Sequence, residues 1–324
     1  MRDILGDGAF RYEVDVGWGK LPDGWSFGDV AAVGVDDRDN VFVFNRGEHP
    51  MIVLDREGAF LRAWGEGLFT NPHGLHVGRD GYLYCTDDGD HTVRKCTPEG
   101  RVVLTLGIPG QAAGVLSGRP FCRCTHSALA PNGDIYVSDG YGNARVHKFA
   151  PDGRHLFSWG ESGTGRGEFN IVHNICCSCD GLVYVADREN HRIQIFNDRG
   201  GYEGQWNNLH RPCALYMDSR PEAPCFVGEL GPFMELNRDH RNLGPRISIL
   251  SPDGELVGRL GDNGLGFEPT NFLAPHGLAM DSRGDLYVGE VANTAWPLIY
   301  PGKPRPARLR VLRKLARAGR RESR

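Results

Sequence analysis

The sequence predicts an all-β protein, a six-bladed β-propeller, and three observations support this fold class. A unit of about 35 to 55 residues recurs six times along the chain. Within each unit, short runs of alternating apolar and polar residues are separated by Asn-Gly, Asp-Gly and Arg-Gly turns, which is typical of antiparallel strands. Glycine accounts for 45 of the 324 residues, about twice its usual share, so the chain turns often. Four short strands per unit predict one propeller blade for each unit.

The six units follow one another without a linker, and 125–160 is the clearest copy. In chain order they are 30–65, 71–107, 125–160, 172–207, 211–261 with an insertion, and a last unit that begins at 274 and ends with the run 308–315. The last unit lacks its fourth strand, and a matching segment stands at the other end of the chain, in 10–22. We therefore expect the N-terminal strand to pair with the last blade, because a closed ring leaves no exposed sheet edge.

The domain organisation and the composition are those of a single soluble domain. We expect one propeller over residues 1–316 and a disordered basic tail over 317–324. The net charge is −4 although 303–324 is strongly basic, so the body is acidic and nucleic acid is not an expected partner. Neither an export signal nor an apolar stretch of membrane-spanning length is visible. Nine cysteines without such a signal favour reduced thiols in the cytoplasm. Nothing in the sequence indicates a membrane partner or an oligomeric state.

Aligning the units places one residue of each at the start of the innermost strand, and three of these residues are histidines. In blade order the six rung residues are Ala31, His73, Thr125, His173, Cys213 and His276. The histidines belong to alternate blades, so their imidazoles are expected to converge on the axis of the ring. Three imidazole nitrogens with one open position are a ligand set of catalytic zinc, although iron, copper and nickel also accept imidazole. The sequence therefore predicts a metal site, and we interpret Cys213 as a small filler.

Further polar residues are expected at one mouth of the central channel. Arg46, Tyr141 and Arg188 follow the second strands of blades one, three and four. His126 comes directly after a rung residue and is a candidate for contact with a substrate, together with Arg46 and Arg188. A buried tyrosine is a base only if nearby positive charge lowers its pKa, and Arg46 and a metal ion would supply that charge.

Six segments resemble the peptidyl-α-hydroxyglycine α-amidating lyases, which are propellers built from NHL repeats. They are FNRGEHPMIVLD (44–55), NPHGL (71–75), VSDGYGNARV (137–146), the Val-His pair at 172–173, VADRENHRIQIF (185–196) and APHGLAM (274–280). The resemblance implies that the zinc ligands are the three rung histidines. It also implies that Tyr141 is the catalytic tyrosine and that Arg46 and Arg188 are active-site arginines. Gly277 stands where the family has an aspartate that helps to hold a structural calcium, which argues against calcium here.

The resemblance implies a zinc-dependent lyase that cleaves the C–N bond of an α-hydroxy-amide to give an amide and a carbonyl product such as glyoxylate. Two alternatives remain open at the level of the sequence. One is a metal-dependent lactonase or hydrolase, whose calcium would need carboxylates such as Glu229 and Glu290, and these residues end strands that point at the channel. The other is a non-catalytic NHL interaction platform, because a propeller fold does not define an activity.

Overall fold

Six antiparallel sheets follow one another along the chain, and their innermost strands contact one another in a ring. The structure is a computed structural model and describes residues 3–218, 220–261 and 264–319. The predicted six-bladed propeller is confirmed. Residues 320–324 of the predicted basic tail lie outside the described residues, whereas Arg317 ends the last strand.

The strands match the predicted units. The chain begins with β1 (Ile4–Leu5) and β2 (Tyr12–Asp15). Blade one contains β3 (Asp29–Val35), β4 (Val41–Arg46), β5 (Met51–Leu54) and β6 (Phe60–Trp64). Blade two contains β7 (Pro72–Val77), β8 (Leu83–Asp87), β9 (Thr92–Cys96) and β10 (Val102–Leu106). Blade three contains β11 (His126–Leu129), β12 (Ile135–Asp139), β13 (Arg145–Phe149) and β14 (His155–Trp159).

The second half of the ring follows a short parallel pair, β15 (Glu161–Ser162) and β16 (Glu168–Phe169). Blade four contains β17 (Val172–Cys177), β18 (Val183–Asp187), β19 (Arg192–Phe196) and β20 (Tyr202–Trp206). Blade five contains β21 (Pro212–Met217), β22 (Cys225–Glu229), β23 (Arg246–Leu250) and β24 (Leu256–Leu260). Blade six contains β25 (Pro275–Met280), β26 (Leu286–Glu290) and β27 (Leu312–Arg317), with helix α1 (Ala292–Ile299) after β26. Single 3-10 turns lie at Gly8–Phe10, Arg188–Asn190, Glu235–Asn237 and Arg241–Leu243.

The ring closes in the predicted way. Strand β2 pairs with β27, where Val14 lies opposite Leu315, and therefore supplies the outer strand that the last unit lacks. Strand β1 adds a fifth strand to this sheet, which the sequence did not predict. The closure joins the first and last segments of the chain in one blade, so neither end leaves a long unpaired edge.

Apolar clusters between neighbouring blades hold the ring together. Phe44 and Met51 of blade one pack against Leu75 and Cys85 of blade two, and comparable clusters lie at the other junctions. The second strand of each blade is covered on both faces, so its residues are buried instead of alternating in burial, except for Arg46 at the end of the second strand of blade one. All nine cysteines are free thiols. No helix among the described residues is long and apolar enough to cross a bilayer.

In each blade, a polar side chain at the end of the second strand fixes the loop that leads to the rung residue of the same blade. Each of these side chains accepts a hydrogen bond from a backbone N–H of that loop; they are Asn45, Asp87, Asp139, Asp187, Glu229 and Glu290. Glu229 and Glu290 are fully buried and paired with Arg246 and Arg313 of the adjacent strands. The expectation that these two carboxylates point at the channel is therefore wrong, because they hold the loops that surround it.

Candidate metal centre and channel mouth

The three rung histidines converge on the axis of the ring. Their ligand nitrogens all lie within 4.8 Å of one another, and their side chains are almost fully buried. Each is the extra residue of a β-bulge: Pro72 and Gly74 pair with consecutive residues of β8, so His73 has no partner in the ladder. The same interruption falls at His173 and at His276. A bulge turns a side chain out of the regular pleat, which explains how the imidazoles reach the axis.

Backbone carbonyls of the alternate blades orient the imidazoles. The Nδ1 atoms of His73, His173 and His276 lie 2.6, 2.8 and 2.7 Å from the carbonyl oxygens of Thr125, Cys213 and Ala31, respectively. A carbonyl oxygen only accepts, so each Nδ1 carries the proton and each Nε2 keeps a lone pair with which it can bind a metal ion. Burial lowers the pKa of all three histidines well below its ordinary value, and nearby arginines add to the effect. The imidazoles are therefore neutral, as metal ligands must be.

Tyr141 lies directly against these ligand nitrogens. Its hydroxyl is 3.0 Å from Nε2 of His73 and 3.0 Å from Nε2 of His173. Glycines on both sides allow this close approach: a Cβ at Gly140 would lie 1.9 Å from a backbone oxygen of blade four, and one at Gly142 would lie 2.1 Å from a cysteine sulfur. Burial raises the pKa of Tyr141, and Arg188 and Arg46 lower it only in part. The arginines alone therefore do not produce the low pKa that a tyrosine base needs.

Arg46 and Arg188 lie at the same mouth of the channel. The guanidinium carbon of Arg188 is 5.7 Å from the ring centre of Tyr141, and its Nε donates to Glu189 at 2.7 Å. The Nε of Arg46 donates to the carbonyl oxygen of Pro72 at 2.8 Å, one residue before a rung histidine. Each arginine thus has an Nε held by the protein, which orients the guanidinium toward the mouth.

Two further arginines lie at this mouth, and the sequence analysis did not predict them. The guanidinium carbon of Arg123 lies 4.8 Å from the ring centre of Tyr141, and its Nη2 is 2.7 Å from Asp88. Arg211 shares the carboxylate of Glu189 with Arg188. Both arginines stand two residues before a rung residue that is not a histidine. That repeated position is the signal by which they are found in the sequence.

His126 lies apart from the mouth. It lines a cavity of about 680 Å³ that reaches His276 of the rung and is otherwise bordered mainly by residues that follow the rung, whereas Arg46, Tyr141 and Arg188 do not border it. Burial lowers the pKa of His126 to about 3 and that of His76, in the same cavity, to about 4. The Nδ1 atom of His126 and the Oδ1 atom of Asn174 have no hydrogen-bond partner among the described residues. The structure therefore does not bring His126 together with Arg46 and Arg188.

The remaining candidate ligands are directed elsewhere. The thiol of Cys213 donates to the carbonyl oxygen of Pro275 at 2.9 Å, so this residue faces His173 with its carbonyl group and not with its sulfur. At Gly277, a Cβ would lie 2.6 Å from the Cα of Ala32, so the packing leaves no room for the family's aspartate. Among the described residues, the three rung histidines are the one group of His, Cys, Asp or Glu side chains able to share a metal ion.

The fold and the site define a β-propeller with a three-histidine centre on its axis, and comparisons identify the family. The NHL repeat model matches residues 169–196. Human NHL repeat-containing protein 3 is 33% identical over 86% of this chain and 81% of its own length. Peptidyl-alpha-hydroxyglycine alpha-amidating lyase 1 of Drosophila melanogaster is 30% identical over 82% of this chain and 55% of its own length. A streptogramin B lyase structure shares the fold, with a TM-score of 0.59 at 14% identity over 90% of this chain and 95% of that one.

The chain belongs to the NHL-repeat propellers related to the peptidyl-α-hydroxyglycine α-amidating lyases. This confirms the family that the sequence motifs indicated. The likeness to the streptogramin B lyase concerns the fold alone, since a fold of this kind carries many activities.

Proposed function

We propose that the protein is a zinc-dependent lyase that cleaves the C–N bond of an α-hydroxy-amide of the α-hydroxyglycine type. One observation carries the proposal: the Tyr141 hydroxyl lies 3.0 Å from Nε2 of both His73 and His173, at a mouth that is lined by arginines. The arrangement supports the proposal because a phenol hydroxyl, three imidazoles and guanidinium groups lie around one small volume. The named activity of the fly relative supports the same class of reaction.

The donor set fits a transition-metal dication. Three neutral imidazoles present ligand nitrogens within 4.8 Å of one another, and the hydrogen bonds at Nδ1 hold the rings in place. Tetrahedral N₃ coordination with an open position suits zinc better than calcium, which prefers six to eight oxygen ligands. Zinc bound there would act as a Lewis acid on the substrate and supply the positive charge that the phenol of Tyr141 lacks.

The side chains at the mouth bind the substrate and transfer its proton. Arg188 and Arg46 bind the substrate carboxylate, because fixed guanidinium groups recognise carboxylates by paired hydrogen bonds. Tyr141, as the phenolate, takes the proton of the substrate hydroxyl at its own oxygen. The electron pair of that O–H bond forms the carbonyl double bond, the C–N bond breaks, and the amide nitrogen takes up the proton that Tyr141 received, which restores the phenolate. The products are an amide and glyoxylate, and no oxidant is needed.

The same geometry weighs against a calcium-dependent lactonase. Such a site would need carboxylates at the channel, and Glu229 and Glu290 are instead buried in ion pairs with Arg246 and Arg313. The non-catalytic alternative predicts a protein without bound metal. Metal content therefore separates the lyase from both alternatives.

The test combines metal content with release of the carbonyl product. Purified protein should hold one zinc per chain and release glyoxylate from an N-acyl-α-hydroxyglycine. Tyr141→Phe should keep the metal and lose about 10²- to 10⁴-fold in kcat, the range for a general base. Tyr202→Phe, on an outer strand of blade four, is the matched control. Calcium in place of zinc, or undiminished turnover in Tyr141→Phe, would contradict the proposal.

A further inference from the structure

The mouth of the channel is polar on one side and apolar on the other. The asymmetry is clearest at the residue that follows the anchoring side chain of each second strand. In blade order these residues are Arg46, Asp88, Gly140 (followed by Tyr141), Arg188, Leu230 and Val291. Blades one to four thus contribute polar groups, and blades five and six contribute aliphatic ones. A substrate bound at the metal centre meets two different walls.

The apolar wall begins at the metal centre itself. Leu230 and Val291 are buried in one apolar cluster with the rung residues Ala31 and Cys213. The carbonyl groups of these two rung residues accept the hydrogen bonds of two rung histidines. Helix α1 covers the cluster with Ala295 and Ile299. The apolar cluster is therefore continuous with the residues whose carbonyl groups orient the ligands.

Three larger side chains connect this cluster to the surface. Phe233, Leu265 and Tyr300 pack against the same cluster and remain partly exposed. We name these three residues, with Leu230 and Val291, the apolar sector. Surrounding rings enlarge it, and their packing holds the tyrosine in place: the ring centres of Trp296 and Phe267 lie 4.6 and 6.3 Å from that of Tyr300.

A chain of contacts connects the apolar sector to the polar wall. The guanidinium carbon of Arg211 lies 4.2 Å from the ring centre of Phe233. Arg211 and Arg188 donate to the same carboxylate, that of Glu189. Arg188 in turn lies beside the ring of Tyr141. The two walls are thus neighbours around one site, and a ligand can contact both.

We infer that the apolar sector binds the acyl group on the amide side of the substrate, so that the preferred substrates are α-hydroxyglycines carrying an apolar acyl group. This inference rests on the proposed lyase function and adds a specificity to it. With the carboxylate at the arginines, the acyl group extends across the metal centre toward blades five and six. A polar or charged acyl group would lose its hydration there without gaining hydrogen bonds.

The size of the preference follows from the surface that the acyl chain buries. Each methylene removed from water improves binding by about fourfold. N-acetylglycine, N-butyrylglycine and N-hexanoylglycine lack the α-hydroxyl and are not turned over, so they report binding alone. With the zinc-loaded protein, calorimetry should give dissociation constants that fall along this series by about tenfold or more at each step. Equal dissociation constants along the series would overturn the inference.

Variants show whether the named residues cause the preference. Phe233→Ser and Tyr300→Ser, prepared separately, should each weaken N-hexanoylglycine binding by about tenfold and leave N-acetylglycine binding within twofold. Leu61→Ser is the matched control, since Leu61 is an exposed apolar residue on an outer strand of blade one. Thermal melts identify any variant that is unfolded, and the second variant then provides the test. An unchanged acyl-chain dependence in a folded Phe233→Ser or Tyr300→Ser protein would refute the assignment.

Turnover separates this inference from the proposed function. The corresponding N-acyl-α-hydroxyglycines should be cleaved with kcat/KM values that rise with chain length. If none is cleaved while the acylglycine binding series holds, the lyase proposal fails and the binding sector stands. If all are cleaved at the same kcat/KM and bind equally, the lyase proposal stands and the sector fails.

Discussion

The blades with even numbers and those with odd numbers contribute to the metal centre in different ways. Blades two, four and six each provide an imidazole side chain, and blades one, three and five each provide a backbone carbonyl group. Five of the six rung residues interrupt the strand ladder as bulges, and Thr125, in blade three, immediately precedes its strand. The local backbone is thus similar around the ring while the chemical contribution alternates.

The alternation between side-chain and backbone contributions shows which positions depend on residue type. An even blade needs histidine, because only its side chain reaches the axis with a free nitrogen. An odd blade needs a small residue whose carbonyl group lies close to the neighbouring imidazole, and Ala31, Thr125 and Cys213 meet that need with three unrelated side chains. Substitutions in the two sets of blades are therefore expected to have very different effects.

The largest effect is expected from loss of one imidazole. His276→Ala should abolish stoichiometric zinc binding and lower kcat/KM by at least about 10³-fold, because two ligands do not hold the ion in a fixed position. Cys213→Ala, in an odd blade, should retain both the stoichiometric zinc and the kcat/KM of the wild type, because the carbonyl group that His173 contacts remains. Elemental analysis after dialysis and an assay of glyoxylate release measure the two quantities. Zinc loss in Cys213→Ala would break the distinction between even and odd blades.

The next effect concerns the two arginines nearest Tyr141. The side chain of Arg188, in blade four, is 11% exposed and fixed by Glu189, whereas that of Arg123, which precedes blade three, is 51% exposed. A fixed guanidinium in a site with little water stabilises a bound carboxylate far more than a solvated one does. Arg188→Gln should lower kcat/KM by about 10²- to 10³-fold, and Arg123→Gln by less than tenfold. Steady-state kinetics of both variants, with zinc content as the control, test this prediction. An equal loss of kcat/KM in the two variants would contradict it.

The repeat pattern explains why the fold and the three ligands are visible in the sequence. A blade needs alternating strands, tight turns and an apolar second strand, and each need restricts residue types. The ligands are visible because histidine recurs at one aligned position in every other unit. Residue identity carries this information, so His73 and its two counterparts can be found without coordinates.

Other parts of the site depend on atoms or packing that residue identity does not encode. Backbone carbonyl groups orient the imidazoles, and every residue has one. Glu229 and Glu290 end their strands next to the channel, but their burial beside arginines of the adjacent strand is a tertiary feature. His126 directly follows a rung residue in sequence and still lines the cavity on the other side of the rung, which Arg46, Tyr141 and Arg188 do not border. Sequence position alone therefore overestimates which polar residues share the mouth.

A smaller effect is expected where an even blade meets an odd one. Gly74 follows His73, and a Cβ there would lie 2.6 Å from the carbonyl oxygen of Thr125, which accepts the Nδ1 hydrogen bond. Gly74→Ala should displace that oxygen and weaken zinc binding by about 10- to 100-fold, the range for loss of a partner that orients a ligand. Competition with a chelator gives the affinity. Gly204→Ala is the control, since a Cβ there meets no atom within 4 Å; an equal loss in the control would contradict the prediction.

The smallest effect is expected at His126, which blade three places in the cavity on the other side of the rung. His126 is neutral in the folded protein, with a pKa lowered to about 3, and it has its ordinary pKa in the unfolded chain. The unfolded state therefore binds more protons below about pH 6.5, so the free energy of unfolding is fully retained above that pH and falls as the pH decreases. His126→Gln should remove about 1 kcal/mol of the stability lost between pH 7 and pH 5.5. Urea unfolding of the wild type and His126→Gln at the two pH values measures the difference in the free energy of unfolding. His76→Gln should show the same effect, because the pKa of His76 is also lowered, to about 4. An identical pH dependence in wild type and His126→Gln would mean that water in the cavity already stabilises the charged imidazole, and the odd blade would then contribute no buried neutral histidine.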